Sequence, residues 1–338
     1  MVIDPVRARR TNAVSTRVRT AVRAAVDAIR APTRPDVGGS RQSRGMSRIG
    51  TIFSPYPHPP EQLRDAARAA EDAGVEELWL WEDCFRSSAW AAAAAALAVT
   101  DHLRIGVGIA PLPLRNVAVS AMEIATIERM FPGRLLPGFG HGVQDWMRQV
   151  GAKVASPLTL MREQLPALRS LLAGETVSAE GRYVKLRDVT LDWPPAAAPL
   201  VYAAAEGPKT LALAGAVADG VVLDSRHTVD EIAAAVRAVR AGRAEAGREG
   251  RTDVVAYVLT AFGPDAHERA TAVLADRADA ADRVLAGSVS EVAEGVARFQ
   301  AAGVDDVVLL PTDDVDLAAF FSAVGQVAVS LPNGGGAS

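Results

Sequence analysis

The chain has 338 residues, 49% hydrophobic and 5% aromatic, with a net charge of -4 and one cysteine. The lone Cys excludes an internal disulfide framework and a Cys-based metal cluster. No apolar run approaches the ~18 residues of a membrane span, and the mild charge gives no reason to expect nucleic acid. The length admits two ordinary domains or one α/β barrel, which often runs to about 250 residues or more.

The charge is uneven. Residues 1–45 hold ten Arg against three Asp, a surplus of seven that leaves -11 on residues 46–338. This head is rich in Ala, Ser and Pro and lacks the apolar core of a secretory signal, so a cytoplasmic setting is expected. It shows no sustained apolar face beyond a helix-like stretch at Val14 to Ile29. It reads as a disordered extension ahead of a start at Met46, with a basic amphipathic arm as the alternative. One domain then covers 46–330, followed by a flexible tail at 331–338.

From Met46 the periodicity alternates regularly. Arg48–Phe53 is strand-like, and Glu61–Ala73 is helical, with Leu63, Ala66, Ala67 and Ala70 on one face. Strand Glu77–Trp81, helix Ala89–Val99, strand His102–Ile109, helix Val117–Met130 and strand Arg134–Phe139 follow. The rhythm then pauses for an insertion: a helix from Ser156-Pro157 to Gly174 and a hairpin, Glu175–Leu191, around Glu180-Gly181. It resumes with strand Leu200–Ala205, helix Pro208–Val217, strand Gly220–Leu223, helix Val229–Ala246 and strand Val254–Thr260. Helices Pro264–Leu285 and Ser290–Ala302 precede strand Asp306–Leu310, and a last helix covers Asp316–Val329. Eight strands, each followed by a helix, predict a closed (β/α)8 TIM barrel with an insertion after strand 4. No G-x-G-x-x-G follows the first strand, which argues against an open dinucleotide-binding sheet.

In such barrels the chemistry sits at the C-terminal strand ends. Those ends offer Ser54, Tyr56 and His58; Glu82, Asp83 and Cys84; Ala110 and Pro111. They continue with Gly138, Gly140, His141 and Gly142; Glu206 to Lys209; and Asp224 to His227. Pro208 suits a first helical position, so Gly207-Pro208-Lys209 opens a helix whose free N–H groups and dipole form an anion seat; a plain tight turn is the alternative. His58 and His141 could exchange a proton at a barrel mouth or simply face water. There is no metal-ligand spacing, no G-x-S-x-G and no H-E-x-x-H. Glycine-bearing anion seats with few acid/base groups suit chemistry carried by a bound cofactor.

Four blocks carry a resemblance: ELWLWEDCF at Glu77–Phe85, the run Leu103–Gly142, VYAAAEGPKTLALAGAVADGVVL at Val201–Leu223, and Leu285–Pro311. In this order the chain resembles the bacterial luciferase-like monooxygenase superfamily, most closely its deazaflavin (coenzyme F420) branch, including the methylenetetrahydromethanopterin reductases. The resemblance implies that Asp83 sits beside the cofactor ring and that a bulge at Ile109, Ala110 and Pro111 backs it. It also implies that Gly140 and Gly142 lie near the cofactor, that Gly207, Pro208 and Lys209 hold its phosphate, with Glu206 beside them among the cofactor-binding residues, and that the segment after strand four covers the mouth. Two departures stand out: Cys84 where relatives often have His, and Asn116-Val117 where they often have His-Pro. Cys84 is read as inert packing. Trp79 and Trp81 are both read first as core residues, with one expected to pack outward against helices and the other to approach the cofactor as the alternative. Arg115 and Glu123 are read as structural ion-pair partners.

The resulting expectation is an oxidoreductase in which reduced F420 exchanges hydride with a small-molecule organic substrate. Asp83, His58 and His141 are its catalytic candidates. One alternative is an FMN-dependent monooxygenase supplied by a partner flavin reductase; another is a non-catalytic flavin-binding barrel. A homodimer is expected from the resemblance.

Overall fold

The computed structural model describes residues 47–331. The expectations for the basic head and the C-terminal tail, the start at Met46 included, concern residues almost entirely outside that range. Eight parallel strands close on one another: β1 (Arg48–Phe53), β2 (Glu77–Leu80), β3 (Arg104–Pro111), β4 (Leu135–Gly140), β7 (Tyr202–Ala204), β8 (Gly220–Leu223), β9 (Asp253–Phe262) and β11 (Asp306–Pro311). β11 returns to β1, pairing Arg48 with Asp306, and completes the ring. The helices α1 (Leu63–Asp72), α2 (Ala89–Leu97) and α3 (Val117–Met130) follow the first three strands. The insertion after β4 carries the short α4 (Gln144–Gln149), α5 (Pro157–Leu172) and an antiparallel hairpin of β5 (Val177–Glu180) and β6 (Lys185–Val189). The chain continues with α6 (Pro208–Val217), α7 (Val229–Glu245), α8 (Ala266–Val273), β10 (Val284–Gly287), α9 (Val289–Ala301) and α10 (Leu317–Ser330).

The helices start where the sequence provides caps. Asn116 accepts the Ala118 N–H at the head of α3, which accounts for an Asn at this position. Thr228 with Glu231, and Ser288 with Glu291, form capping boxes on α7 and α9. The buried face of α1 is Leu63, Ala66, Ala67 and Ala70, as the periodicity predicts, and Gly74 ends that unit at a positive φ of 78°.

One predicted element differs. Instead of one helix from Pro264 to Leu285, α8 ends at Val273 and Val284–Gly287 becomes β10. β8 pairs only with Asp253–Ala256 at the start of β9, while β11 takes the other edge of β9 up to Thr260. The upper part of the β8-side edge is therefore open, and β10 fills it through Leu259–Phe262. Unpaired sheet edges are costly when covered, so a short apolar run adds here as strand rather than as the end of a helix.

Strand alternation sorts the side chains into two cores. Leu78 and Leu80 face the helices, whereas Trp79 and Trp81 both belong to the barrel interior. The expectation that one Trp packs outward is thus overturned, since residues two apart on a strand share a face. Trp79 fits because Gly106 lies beside it: a Cβ there would come within 2.1 Å of the indole. A Cβ at Gly220 would likewise meet the Tyr202 ring at 2.3 Å. Below these rings the N-terminal end is closed by charge. Arg104 donates to Glu77 at 2.6 Å, the Trp79 indole N–H donates to the other Glu77 oxygen at 3.0 Å, and the Tyr202 hydroxyl donates to Asp253 at 3.2 Å.

Candidate active site

A cavity of about 770 Å3 opens at the opposite, C-terminal end of the strands, within the size range of small-molecule and cofactor sites. Its wall on β3 depends on an irregularity. Val107 pairs with Pro137 and Ala110 with Phe139, so three steps along β3 match two along β4. One extra residue in a strand breaks the alternation, and consecutive residues Gly108 and Ile109 both line the cavity, joined by a cis peptide. Pro111 lines it too, but Ala110 is fully buried against the surrounding helices. Ala110 therefore does not join the site expected of it, because the bulge turns it outward.

From β4, Gly140, His141 and Gly142 reach the cavity, followed by Val143 and Trp146 of the α4 segment. Gly142 has a φ of 68°, and a Cβ there would stand 2.9 Å from Pro111, so the loop closes tightly at this corner. Burial pushes the His141 imidazole down, favouring its neutral form, and its buried Nε2 has no hydrogen-bond partner. A buried polar atom left unpaired points to a missing partner. The rest of the insertion behaves differently from expectation. The β5–β6 hairpin supplies no lining residue. It is held to α5, whose Glu163 carboxylate accepts the N–H groups of Arg182, Tyr183 and Val184 at 3.0, 2.8 and 3.1 Å. Only the α4 segment borders the mouth.

On β7 the cavity meets Glu206 and Gly207 at the start of α6, with Thr210 one turn in. The first N–H groups of a helix lack intrahelical partners. A Cβ built on Gly207 meets nothing within 4 Å, so an open cradle faces those groups. Pro208 and Lys209 do not line the cavity and are exposed; Pro208 starts the helix, and Lys209 is not part of the lining to which the sequence assigned it. Arg226, after β8, is the one Arg or Lys lining the cavity among the described residues. It donates to Asp224, and to Glu206 at 2.6 Å. Burial would raise the Asp224 carboxyl, but hydrogen bonds from His227 and Arg226 hold it well below the usual range. Burial, then the hydrogen bond with Asp224, pushes Glu206 up. The Asp224 hydrogen bond also raises His227, whose Nδ1 lies 2.9 Å from the Asp224 carboxylate.

In an eight-stranded ring β1 stands opposite β7. There Tyr56 donates to Asp83 at 2.8 Å, and its ring meets Trp81 edge-on with centroids 6.2 Å apart. Burial pushes Asp83 up, against the hydrogen bond from Tyr56 and the charge of Arg86. Tyr56, Trp81 and Asp83 all line the cavity. His58 does not: it packs beside Phe53 at 5.5 Å between ring centroids and borders a separate small crevice. The geometry leaves it out of the site. Cys84 is absent from the lining as well, and burial raises its thiol. Arg115 and Glu123 are ion-paired at 3.1 Å, as expected, but the stronger partner of Arg115 is Glu82, bound through both oxygens at 2.6 and 2.7 Å.

The sequence reading missed Val143, Trp146, Thr210 and Tyr257 as lining residues. Trp146 carried a signal in hindsight, as an aromatic in a short polar segment directly after a glycine-rich strand end. Tyr257 lies inside a continuous apolar strand and carried none.

The closed (β/α)8 barrel thus carries a bulged third strand, an open helix start and a buried, unpaired His at one mouth cavity. The chain belongs to the luciferase-like monooxygenase family, a class of oxidoreductases, whose model matches residues 31–281. A 5,10-methylenetetrahydromethanopterin reductase of Methanolobus tindarius is 30% identical over 219 residues, covering 64% of this chain and 66% of the relative. The chain thus spans just under two thirds of that relative's length. An F420-dependent glucose-6-phosphate dehydrogenase of Kineococcus radiotolerans is 29% identical over 235 residues, 64% of this chain and 69% of its own. The solved coenzyme F420 dependent tetrahydromethanopterin reductase of Methanopyrus kandleri shares the fold, with TM-score 0.71 at 23% identity over 84% of this chain and 99% of that one. So does an FMN-bound type II Baeyer–Villiger monooxygenase component of Pseudomonas putida, with TM-score 0.68 at 17% identity over 85% and 100%.

Proposed function

We propose that this protein is an F420-dependent oxidoreductase that exchanges hydride with an organic substrate. The observation that carries the reading is that one cavity is lined both by the β3 bulge at Gly108-Ile109 and by the open helix start at Gly207. A flat ring and a phosphate on one molecule need both features at once. The relatives named for F420 or methanopterin chemistry support the same reading.

When bound, the reduced deazaflavin supplies the hydride. The protein's own residues do the rest. Ile109 and its bulge would support the ring, and the Gly207 N–H with the Thr210 hydroxyl would receive the phosphate. His141 offers its unpaired Nε2 to a polar ring edge. The Tyr56–Asp83 pair holds a proton at the opposite wall, since burial favours the protonated form of both. Trp81 and Trp146 keep water from the reacting face.

The test is an absorbance titration of the full chain against F420 and FMN separately. Micromolar binding of F420 with weak FMN binding is expected. Preference for FMN would shift the reading to oxygen chemistry with a partner reductase. Binding of neither would overturn it, and tight binding without turnover on any reducible substrate would favour a non-catalytic barrel.

A further inference from the structure

The glycines of β3 mark where rings from other strands press on it. A Cβ at Gly106 would enter the Trp79 indole. Two residues on, a Cβ at Gly108 would stand 1.7 Å from the Tyr257 hydroxyl oxygen and 3.0 Å from its Cζ. Tyr257 belongs to β9, which lies four strands from β3 in either direction around the ring. Its side chain therefore crosses the barrel interior, and its hydroxyl donates to the Gly108 carbonyl at 3.4 Å. That length exceeds the usual O–H···O range, so the contact acts more through position than through energy.

Tyr257 is itself fixed. It is 6% exposed, and its ring meets Trp79 edge-on with centroids 5.8 Å apart. Trp79 is anchored in turn by the bond from its indole N–H to Glu77. Burial pushes the Tyr257 hydroxyl well above its ordinary range, so the proton it donates stays in place at neutral pH. Gly108 lacks ladder neighbours of its own. β2 pairs with β3 only as far as Val107, and the register with β4 jumps from Val107 to Ala110. A bulged residue forgoes its ladder bonds, and its carbonyl needs another partner. The next residue is held from the adjacent strand: the Ile109 side chain lies along β4, where a Cβ at Gly140 would come within 3.0 Å of it.

We propose that Tyr257 is a positioning residue, whose hydroxyl reaches across the barrel and holds the β3 bulge in the shape that presents Ile109 to the cavity. Through that bulge it sets how tightly a flat cofactor ring is held. The effect on the ring rests on the F420 reading, whereas the tether stands on contacts within the protein alone.

The experiment is a double-mutant cycle of Tyr257→Phe and Gly108→Ala on the full chain, read by thermal melting and by F420 absorbance titration. Tyr257→Phe keeps the ring against Trp79 and removes only the hydroxyl. F420 affinity should fall about tenfold, as expected when an acceptor loses its donor, with a drop of only a few degrees in melting temperature. Displacement of F420 by inorganic phosphate reports the other end of the site, and the phosphate affinity should be unchanged. Gly108→Ala should be worse in both readouts, because its methyl meets the hydroxyl. With the hydroxyl gone the nearest listed side-chain atoms are 3.0 Å away, so Gly108→Ala should cost about fivefold less F420 affinity in the Tyr257→Phe background. Unchanged F420 affinity in a folded Tyr257→Phe would overturn the proposal. So would an equal loss for F420 and phosphate, or two substitutions whose effects on melting simply add. Failure of the unsubstituted chain to bind F420 sinks the cofactor reading and the effect on the ring with it; a non-additive melting cycle would still uphold the tether.

Discussion

The two ends of the barrel are built from the same eight strands and reach opposite solutions. At the N-terminal end Glu77 is fully buried between Arg104 and the Trp79 indole, both of which donate to it. At the C-terminal end His141 keeps an unpaired nitrogen, Gly207 faces open space, and aromatic rings stand exposed. A satisfied end holds the ring together, and an unsatisfied end binds. The difference is the physical counterpart of the rule that barrel stability lies below and chemistry above.

Breaking the lower end should have the largest effect. Glu77→Ala would leave Arg104 and the Trp79 N–H without their acceptor, and losing one partner of a buried pair costs about 3–5 kcal/mol; thermal melting should show it directly. Gly106→Ala forces a methyl into the Trp79 ring, an overpacking cost of about 1–3 kcal/mol or more, with a matching fall in melting temperature. At the upper end the signature inverts. A Cβ at Gly207 meets no protein atom within 4 Å, so Gly207→Asp should keep stability, while a carboxylate in the anion cradle lowers F420 affinity by about 100-fold or more. A folded Gly207→Asp that still binds F420 normally would remove the cradle from the site.

The two rim histidines sharpen the comparison by pH. Burial lowers His141, so its native state favours the neutral ring. The stability it contributes is full above the ordinary value of ~6.5 and is lost as pH falls through its depressed folded value. His227 is raised, chiefly by its hydrogen bond to Asp224, so its contribution is full below ~6.5 and is lost as pH rises through its elevated folded value. Melting curves across pH should therefore lose acid sensitivity in His141→Asn and alkaline sensitivity in His227→Asn; the same slope change in both would contradict the assignment. The smallest effect is expected at Cys84. It lies outside the lining, so Cys84→Ser should alter F420 affinity by less than about twofold.

Much of this was legible beforehand, for a local reason. Strand and helix periods of 2 and 3.6 are written in neighbouring residues, so the eight strands, the α1 face and the Glu180-Gly181 hairpin could be read directly. Where expectation failed, the deciding contact was remote or depended on register. Val284–Gly287 became a strand because β8 is too short to cover β9. Ala110 turned outward because one bulged residue upstream reversed the facing. Arg115 chose Glu82, 33 positions away, over the nearer Glu123 as its principal partner.

The sequence by itself determined the order and number of the βα units, the glycines at the fourth and fifth strand ends, and the family blocks that locate them. Only the closed ring decided which of those strand-end residues share a cavity. It brought Tyr56 and Gly207 to one cavity, left His58 and Lys209 outside, and put Trp81 and Trp146 in the same lining. The reason is geometric: alternation fixes a side chain's face relative to its own strand, whereas its neighbours across the mouth depend on ring closure and on every register shift along the way.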